Sequence, residues 1–100
     1  MPKVKLIVTR WLRESMNLGL TDPGEIAVCV PDGESILGMI QCLAAERGDF
    51  WRRMIDENGQ NIHMDVLVIL NGRIVNPYDR KEATLREGDE VMFMPMMAGG

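Results

Sequence analysis

Glu25-Ile26-Ala27-Val28-Cys29-Val30-Pro31-Asp32-Gly33-Glu34-Ser35-Ile36-Leu37 is the stretch in which the hydrophobic period changes. Up to Val30 it alternates, with Ile26, Val28 and Val30 on one face and Ala27 and Cys29 on the other, the pattern of a half-buried strand. Pro31-Asp32-Gly33 stops that strand, since proline removes a ladder donor and Asp-Gly favours a turn. Ser35 is then placed to cap a helix, its hydroxyl accepting from an otherwise orphan backbone N–H, and Glu34 adds charge suited to the positive end of the dipole. From Ile36 the apolar residues fall at Ile36, Leu37, Ile40, Leu43 and Ala44, the spacing of an amphipathic helix that Gly48 would end. A strand therefore hands over directly to one covering helix.

Working outward, residues 3–10 alternate Val4, Leu6 and Val8 on one face. Trp11-Leu12-Arg13-Glu14 closes this strand, and Leu18-Gly19-Leu20-Thr21-Asp22-Pro23-Gly24 reads as a loop. The two alternating runs make an antiparallel hairpin ahead of the helix. Beyond the helix, Phe50, Trp51, Met54 and Ile55 can extend its stripe as a second short helix, with Trp51 against the end of the sheet. Asp56-Glu57-Asn58-Gly59 then turns the chain.

Residues 64–70 are strongly apolar and β-branched, which predicts a central strand buried on both faces. Asn71-Gly72 is a strong hairpin signal, with Arg73-Ile74-Val75 as the short return. Asn76-Pro77-Tyr78-Asp79-Arg80 and Lys81-Glu82-Ala83-Thr84 read as loop, Leu85 as a single core anchor, and Arg86-Glu87-Gly88-Asp89 as a turn. Glu90-Val91-Met92-Phe93-Met94 is the last strand, halted by Pro95. The order is β-β-α-β-β-β, an α+β layer architecture with a mixed sheet and one main helix.

Bulk properties exclude several classes. One hundred residues with 46% hydrophobic content fit a single domain, here residues 1–95 followed by a tail of residues 96–100. A net charge of −4 offers no basic stripe for nucleic acid. Neither a membrane-spanning run nor a signal peptide is present, so no membrane partner is expected and the cytoplasm is the expected compartment. Cys29 and Cys42 lie in unrelated elements and are expected as buried, unpaired thiols. His63 is the sole histidine, so neither a histidine metal cluster nor a Ser-His-Asp triad is supported, and no metal site is expected. Two cysteines cannot hold the iron–sulfur cluster of a ferredoxin, which takes about four. No catalytic constellation emerges.

The chemistry instead points to Pro95-Met96-Met97-Ala98-Gly99-Gly100. Terminal glycines have no turn to make and no helix to cap. They leave a carboxylate on a thin arm without side chains, able to thread a narrow channel. Met96 to Gly100, fully extended, reach about 16 Å at roughly 3.3 Å per residue. Pro95 separates sheet from arm. With Val91 and Phe93 turned to the core, Met92 and Met94 face outward, where adaptable methionines suit docking on more than one partner. Coverage of the two methionines by the chain's own loops is the competing expectation.

The β-β-α-β order, Asn71-Gly72 after a Val/Ile strand, Glu87-Gly88-Asp89-Glu90-Val91, Trp11-Leu12-Arg13-Glu14 and the ending Pro95-x-x-x-Gly99-Gly100 together resemble the MoaD/ThiS sulfur-carrier family. The resemblance implies a ubiquitin-like β-grasp fold and covers essentially the whole chain. Length and the segment 49–62 are most similar to the molybdopterin synthase small subunit. One departure is Pro95-Met96 where many relatives have Pro-Pro, which leaves the start of the tail less stiff.

What the resemblance implies is a carrier and not an enzyme: a co-substrate or non-catalytic subunit of a synthase. The Gly100 carboxylate would be adenylated by a ubiquitin-activating-enzyme-like adenylyltransferase that uses ATP. It would then become a thiocarboxylate with sulfur from a cysteine desulfurase or rhodanese persulfide. Gly99, Ala98, Met97, Met96, Pro95, Met94 and Met92 would meet the partners. No cofactor would be bound. The second partner would be the molybdopterin synthase large subunit, and the pathway molybdenum or tungsten cofactor synthesis. Three alternatives stay open: a ubiquitin-like modifier joined to lysines through Gly100, a carrier for thiamine or tRNA thiolation, and an interaction module with an incidental tail.

Overall fold

The structure is a computed structural model, and it describes residues 1–9, 24–47, 49–75 and 83–95, with the side chains of residues 47, 49 and 50 excepted. The expectations for residues 10–14, 18–23, 76–82 and Gly48 lie outside the described residues. Strands β1 (Lys3–Val8) and β2 (Glu25–Cys29) are followed by helices α1 (Ile36–Arg47) and α2 (Asp49–Arg53). Strands β3 (Val66–Leu70), β4 (Arg73–Ile74) and β5 (Glu90–Pro95) complete the order. They form a five-stranded mixed sheet in the order β2-β1-β5-β3-β4. β1 and β5 run parallel, and every other neighbouring pair is antiparallel.

The period-2 residues land on the face that the helix covers. Val4, Leu6, Val8, Val28, Val30, Val66, Val68, Val91 and Phe93 are buried, and α1 lays Ile36, Leu37, Ile40, Leu43 and Ala44 over them. Met39 joins this core, although it falls off the expected stripe. Trp51 on α2 is buried and meets Phe93 edge-on, with ring centroids 6.1 Å apart at 74°. Leu85 is an anchor as expected, 2% exposed. Its neighbour Thr84 bridges Ser35, where the sequence had suggested only loop.

The start of α1 is built as its sequence dictates. Ser35 Oγ accepts from the Gly38 amide at 3.0 Å, and Glu34 Oε1 accepts from the Ser35 amide at 3.0 Å. The segment 83–85 holds the same turn from outside, Ile36 N–H donating to Ala83 O and Leu85 N–H to Glu34 O.

Asn71-Gly72 forms the expected hairpin, both residues at positive φ (51° and 84°). The Asn71 side chain also donates to Asp89 Oδ1 and accepts from the Glu90 amide, each at 2.9 Å, and so ties the hairpin to the start of β5. Asn71→Ala is expected to cost about 1–3 kcal/mol in urea unfolding, from lost hydrogen bonds plus left-handed strain. Asn71→Gly keeps the bonds lost but removes the strain, so it should be the milder variant. Equal losses would show that backbone strain contributes nothing there.

Five expectations need correcting. β3 begins at Val66, not residue 64, and Met64 is 63% exposed. β3 lies between β5 and β4, while β5 is the middle strand; Val66 and Val68 are buried and Leu67, Ile69 and Leu70 only half so. An apolar run does not distinguish two buried faces from one buried and one partly covered face. Pro95 does not halt β5 but is its last residue, paired with Val66. Proline is admitted because the strand ends there and needs no further donor. Cys29 and Cys42 are exposed free thiols, not buried ones, because β2 is an edge strand and Cys42 sits off the helix stripe. β1 is also shorter than residues 3–10, though Thr9 N–H still donates to Phe93 O.

Candidate functional site

β5 is flanked by β1 on one side and β3 on the other, and it runs out of the sheet centre toward residues 96–100. Met96, Met97, Ala98, Gly99 and Gly100 lie outside the described residues. The described part of the site is therefore β5 and the outer sheet face around it.

Alternation along β5 is as expected. Val91 and Phe93 are fully buried on the helix side, whereas Met92, Met94 and Pro95 are half-buried. The two methionines are thus neither in the core nor freely exposed.

The register shows what they lie among. Ile7 of β1 stands beside Met92, Ile69 of β3 stands on its other side, and Ile74 of β4 stands beside Ile69. One apolar row therefore crosses four strands, with Leu67 beside Met94 extending it toward Pro95. Ile74 at the end of the row is 67% exposed. Acidic and basic residues border it: Lys5 is ion-paired with Glu25 at 3.2 Å, and Glu90 opens β5. A rimmed apolar patch of this sort is a candidate docking surface.

Sequence reasoning singled out Met92 and Met94 and did not name Ile7, Leu67, Ile69 and Ile74. Their parity was visible in the sequence. Which strands would be neighbours was not.

Among the described residues no group of three or more His, Cys, Asp or Glu side chains could hold a metal ion, and no helix is long and apolar enough to cross a membrane. His63 Nδ1 accepts from the Asp65 amide at 3.1 Å, a local turn contact. The geometry can present a surface and a strand leading to a tail.

Comparison with known proteins places this geometry. No curated protein matches the chain in sequence. Among solved structures, a Haloferax volcanii protein studied in solution is 27% identical over 99% of this chain and 87% of its own, with a TM-score of 0.72. The small archaeal modifier protein 1 of Methanosarcina acetivorans is 21% identical over 100% of this chain and 98% of its own, with a TM-score of 0.68. A candidate molybdopterin converting factor, subunit 1, from Pyrococcus furiosus is 22% identical over 97% of this chain and 100% of its own, with a TM-score of 0.65. The latter two likenesses establish a shared ubiquitin-like β-grasp fold. The family model of the ThiS family matches residues 20–100, which takes in α1, the Asn71-Gly72 hairpin, β5 and the glycine tail. The chain belongs to the ThiS family.

Proposed function

We propose that this chain is a sulfur carrier, its sulfur held as a thiocarboxylate on Gly100. The observation that carries the reading is the course of β5, which passes from the sheet centre through Met92, Met94 and Pro95 toward Gly99-Gly100. The apolar row beside it gives an activating partner something to grip while the arm enters that partner's site. Membership of the ThiS family supports the same reading.

The chemistry follows from the carboxylate. It is a poor electrophile, because oxide would have to leave. A ubiquitin-activating-enzyme-like adenylyltransferase solves this by letting the Gly100 carboxylate oxygen attack the α-phosphorus of ATP and expel pyrophosphate. Sulfide then attacks the acyl carbon and AMP departs, leaving –C(=O)S⁻. Where sulfur arrives as a persulfide, from a cysteine desulfurase or a rhodanese, the first product is an acyl disulfide. A thiol attacking its distal sulfur releases the thiocarboxylate and a disulfide. The chain supplies no catalytic group and acts as co-substrate.

The acceptor we propose is a pterin precursor on a molybdopterin synthase large subunit, in molybdenum or tungsten cofactor synthesis and in the cytoplasm. The Pyrococcus furiosus structure called a molybdopterin converting factor supports this choice. The competing reading, a modifier joined to lysines through the same activated carboxyl group, is favoured by the fold shared with an archaeal modifier protein. Thiamine and thiolated tRNA are the other sulfur destinations.

The deciding experiment is the intact mass of the protein after incubation with its activating enzyme, ATP and sulfide. One oxygen exchanged for sulfur, absent when Gly100 is deleted, is the expected result. Ladders of conjugates without that exchange would establish the modifier instead. A second expected result concerns the docking row. Met92→Lys puts a charge in its centre without touching the core face, so adenylation should fall about tenfold or more through KM while the Tm holds. An unchanged KM would remove the row from the interface.

A further inference from the structure

The two edges of the sheet differ. β4 is two residues long and carries Arg73, a short charged edge of the kind that resists pairing. β2 is five residues long, with Ala27 and Cys29 in its middle and end and a charge only at Glu25. The hydrogen-bond parity fixes which of its backbone groups are engaged. Val30 N–H donates to Pro2 O and Val8 N–H to Gly24 O, so the even-numbered residues of β2 face β1. The amides and carbonyls of Glu25, Ala27 and Cys29 therefore point away from the sheet, and no group among the described residues pairs with them.

Beside this edge runs a groove of about 320 Å³, walled by β2 on one side and α1 on the other. Val28, Met39, Cys42 and Leu43 line it, and Glu34 and Glu46 stand in its wall on the helix side. Glu34 lies at the turn into α1, and Glu46 comes roughly three helical turns later. Among the described residues no lysine or arginine side chain lines it.

We propose that the β2 edge and this groove bind an extended segment of a partner protein as a sixth strand. The segment alternates apolar residues with polar ones and is flanked by basic residues. Its backbone would pair with Glu25, Ala27 and Cys29, and alternate side chains would enter the groove against Met39, Cys42 and Leu43. Its cations would meet Glu34 and Glu46. Five residues of β2 set the paired length at about 17 Å, at roughly 3.4 Å per residue.

Charge selects this occupant over a second copy of the chain. Two copies paired through β2 would set Glu34 and Glu46 of each against an equally acidic neighbour, each copy carrying a net −4. The site is separate from the proposed carrier chemistry: β1 stands between β2 and β5, so a strand bound here leaves β5 and its outer face uncovered.

The test uses the full chain and an acetylated hexapeptide of alternating isoleucine and threonine between terminal lysines. A second peptide carries N-methyl groups on the amides that would face β2. Amide shifts in a titration are expected to concentrate at Ala27, Cys29, Met39 and Cys42. The methylated peptide should bind about tenfold more weakly or worse. Glu46→Lys should weaken binding, and Cys42→Lys, at an exposed helical position, should fill the groove and block it. Equal affinity for the two peptides, shifts at Ile69 and Met92 instead, or no shifts at millimolar peptide would each overturn the proposal. So would concentration-dependent dimerisation through β2 that the peptide fails to reverse, which would make a second copy the occupant.

Discussion

Phe93→Ala is expected to destabilise the fold by about 3–5 kcal/mol, a large share of the roughly 5–15 kcal/mol available to a small domain. Phe93 is fully buried on the middle strand, with Val8 beside it on β1 and Val68 beside it on β3. It also receives Trp51 edge-on from α2. Truncation would remove aromatic surface and leave a cavity that three strands and two helices cannot jointly collapse, because sheet spacing is fixed by backbone pairing. Urea unfolding reads the loss directly. A double-mutant cycle with Trp51→Ala should return a coupling of about 0.5–1.5 kcal/mol, beyond what burial alone gives. A loss below about 1.5 kcal/mol for Phe93→Ala would mean that the sheet relaxes around the void and that β5 is not the mechanical centre of the fold.

That central role for β5 is what the sequence could not display. Alternation in Val91, Met92, Phe93 and Met94 announces a strand and sorts its faces, because period two is a local property. Pairing with both β1 and β3 is a property of topology. The parallel register of Leu6 with Val91 joins residues with most of the chain between them, and no short-range pattern encodes it. Conversely, the strand-to-helix switch across Pro31-Asp32-Gly33 and the Asn71-Gly72 hairpin were legible to within about a residue, since turn chemistry and capping act within a few positions. The family resemblance, carried on ordered motifs, brought the topology that periodicity lacked.

The same division explains the candidate site. Met92 and Met94 were readable as outward-facing from parity alone. Ile7, Leu67, Ile69 and Ile74 have the same parity on their own strands, but only the register assembles them into one row. Cys29 and Cys42 show the opposite failure. Their residue type predicts burial, yet an edge strand and the flank of a helix left them at the surface, beside an open groove. Composition gives a residue's preference, and the position of its strand in the sheet decides whether the preference is met.

Gly100→Trp is expected to abolish adenylation, by about a hundredfold or more, while leaving unfolding in urea unchanged. The two halves of this expectation rest on different physics. Stability is expected to hold because the last described strand, β5, ends at Pro95, with Val66 as its terminal partner, and the described core is built from residues ahead of the tail. Activity is lost because the reacting carboxylate is retained but its approach is not. On the proposed carrier chemistry, an indole on the terminal residue would have to occupy space that a hydrogen occupied, in a partner's channel that would shield an acyl adenylate from water. A displacement of about 1 Å at a reacting centre already costs on the order of a hundredfold. Gly100→Ala adds a single carbon and should fall between the two. Pyrophosphate exchange with the activating enzyme measures the step before any sulfur chemistry, so a failure of sulfur supply cannot imitate the result. If Gly100→Trp exchanges at the wild-type rate, the carboxylate of Gly100 is not the group activated, and both the carrier and the modifier readings fall together. If exchange is lost but Met92→Lys exchanges normally, the arm is engaged while the apolar row is not, and the partner grips the protein elsewhere.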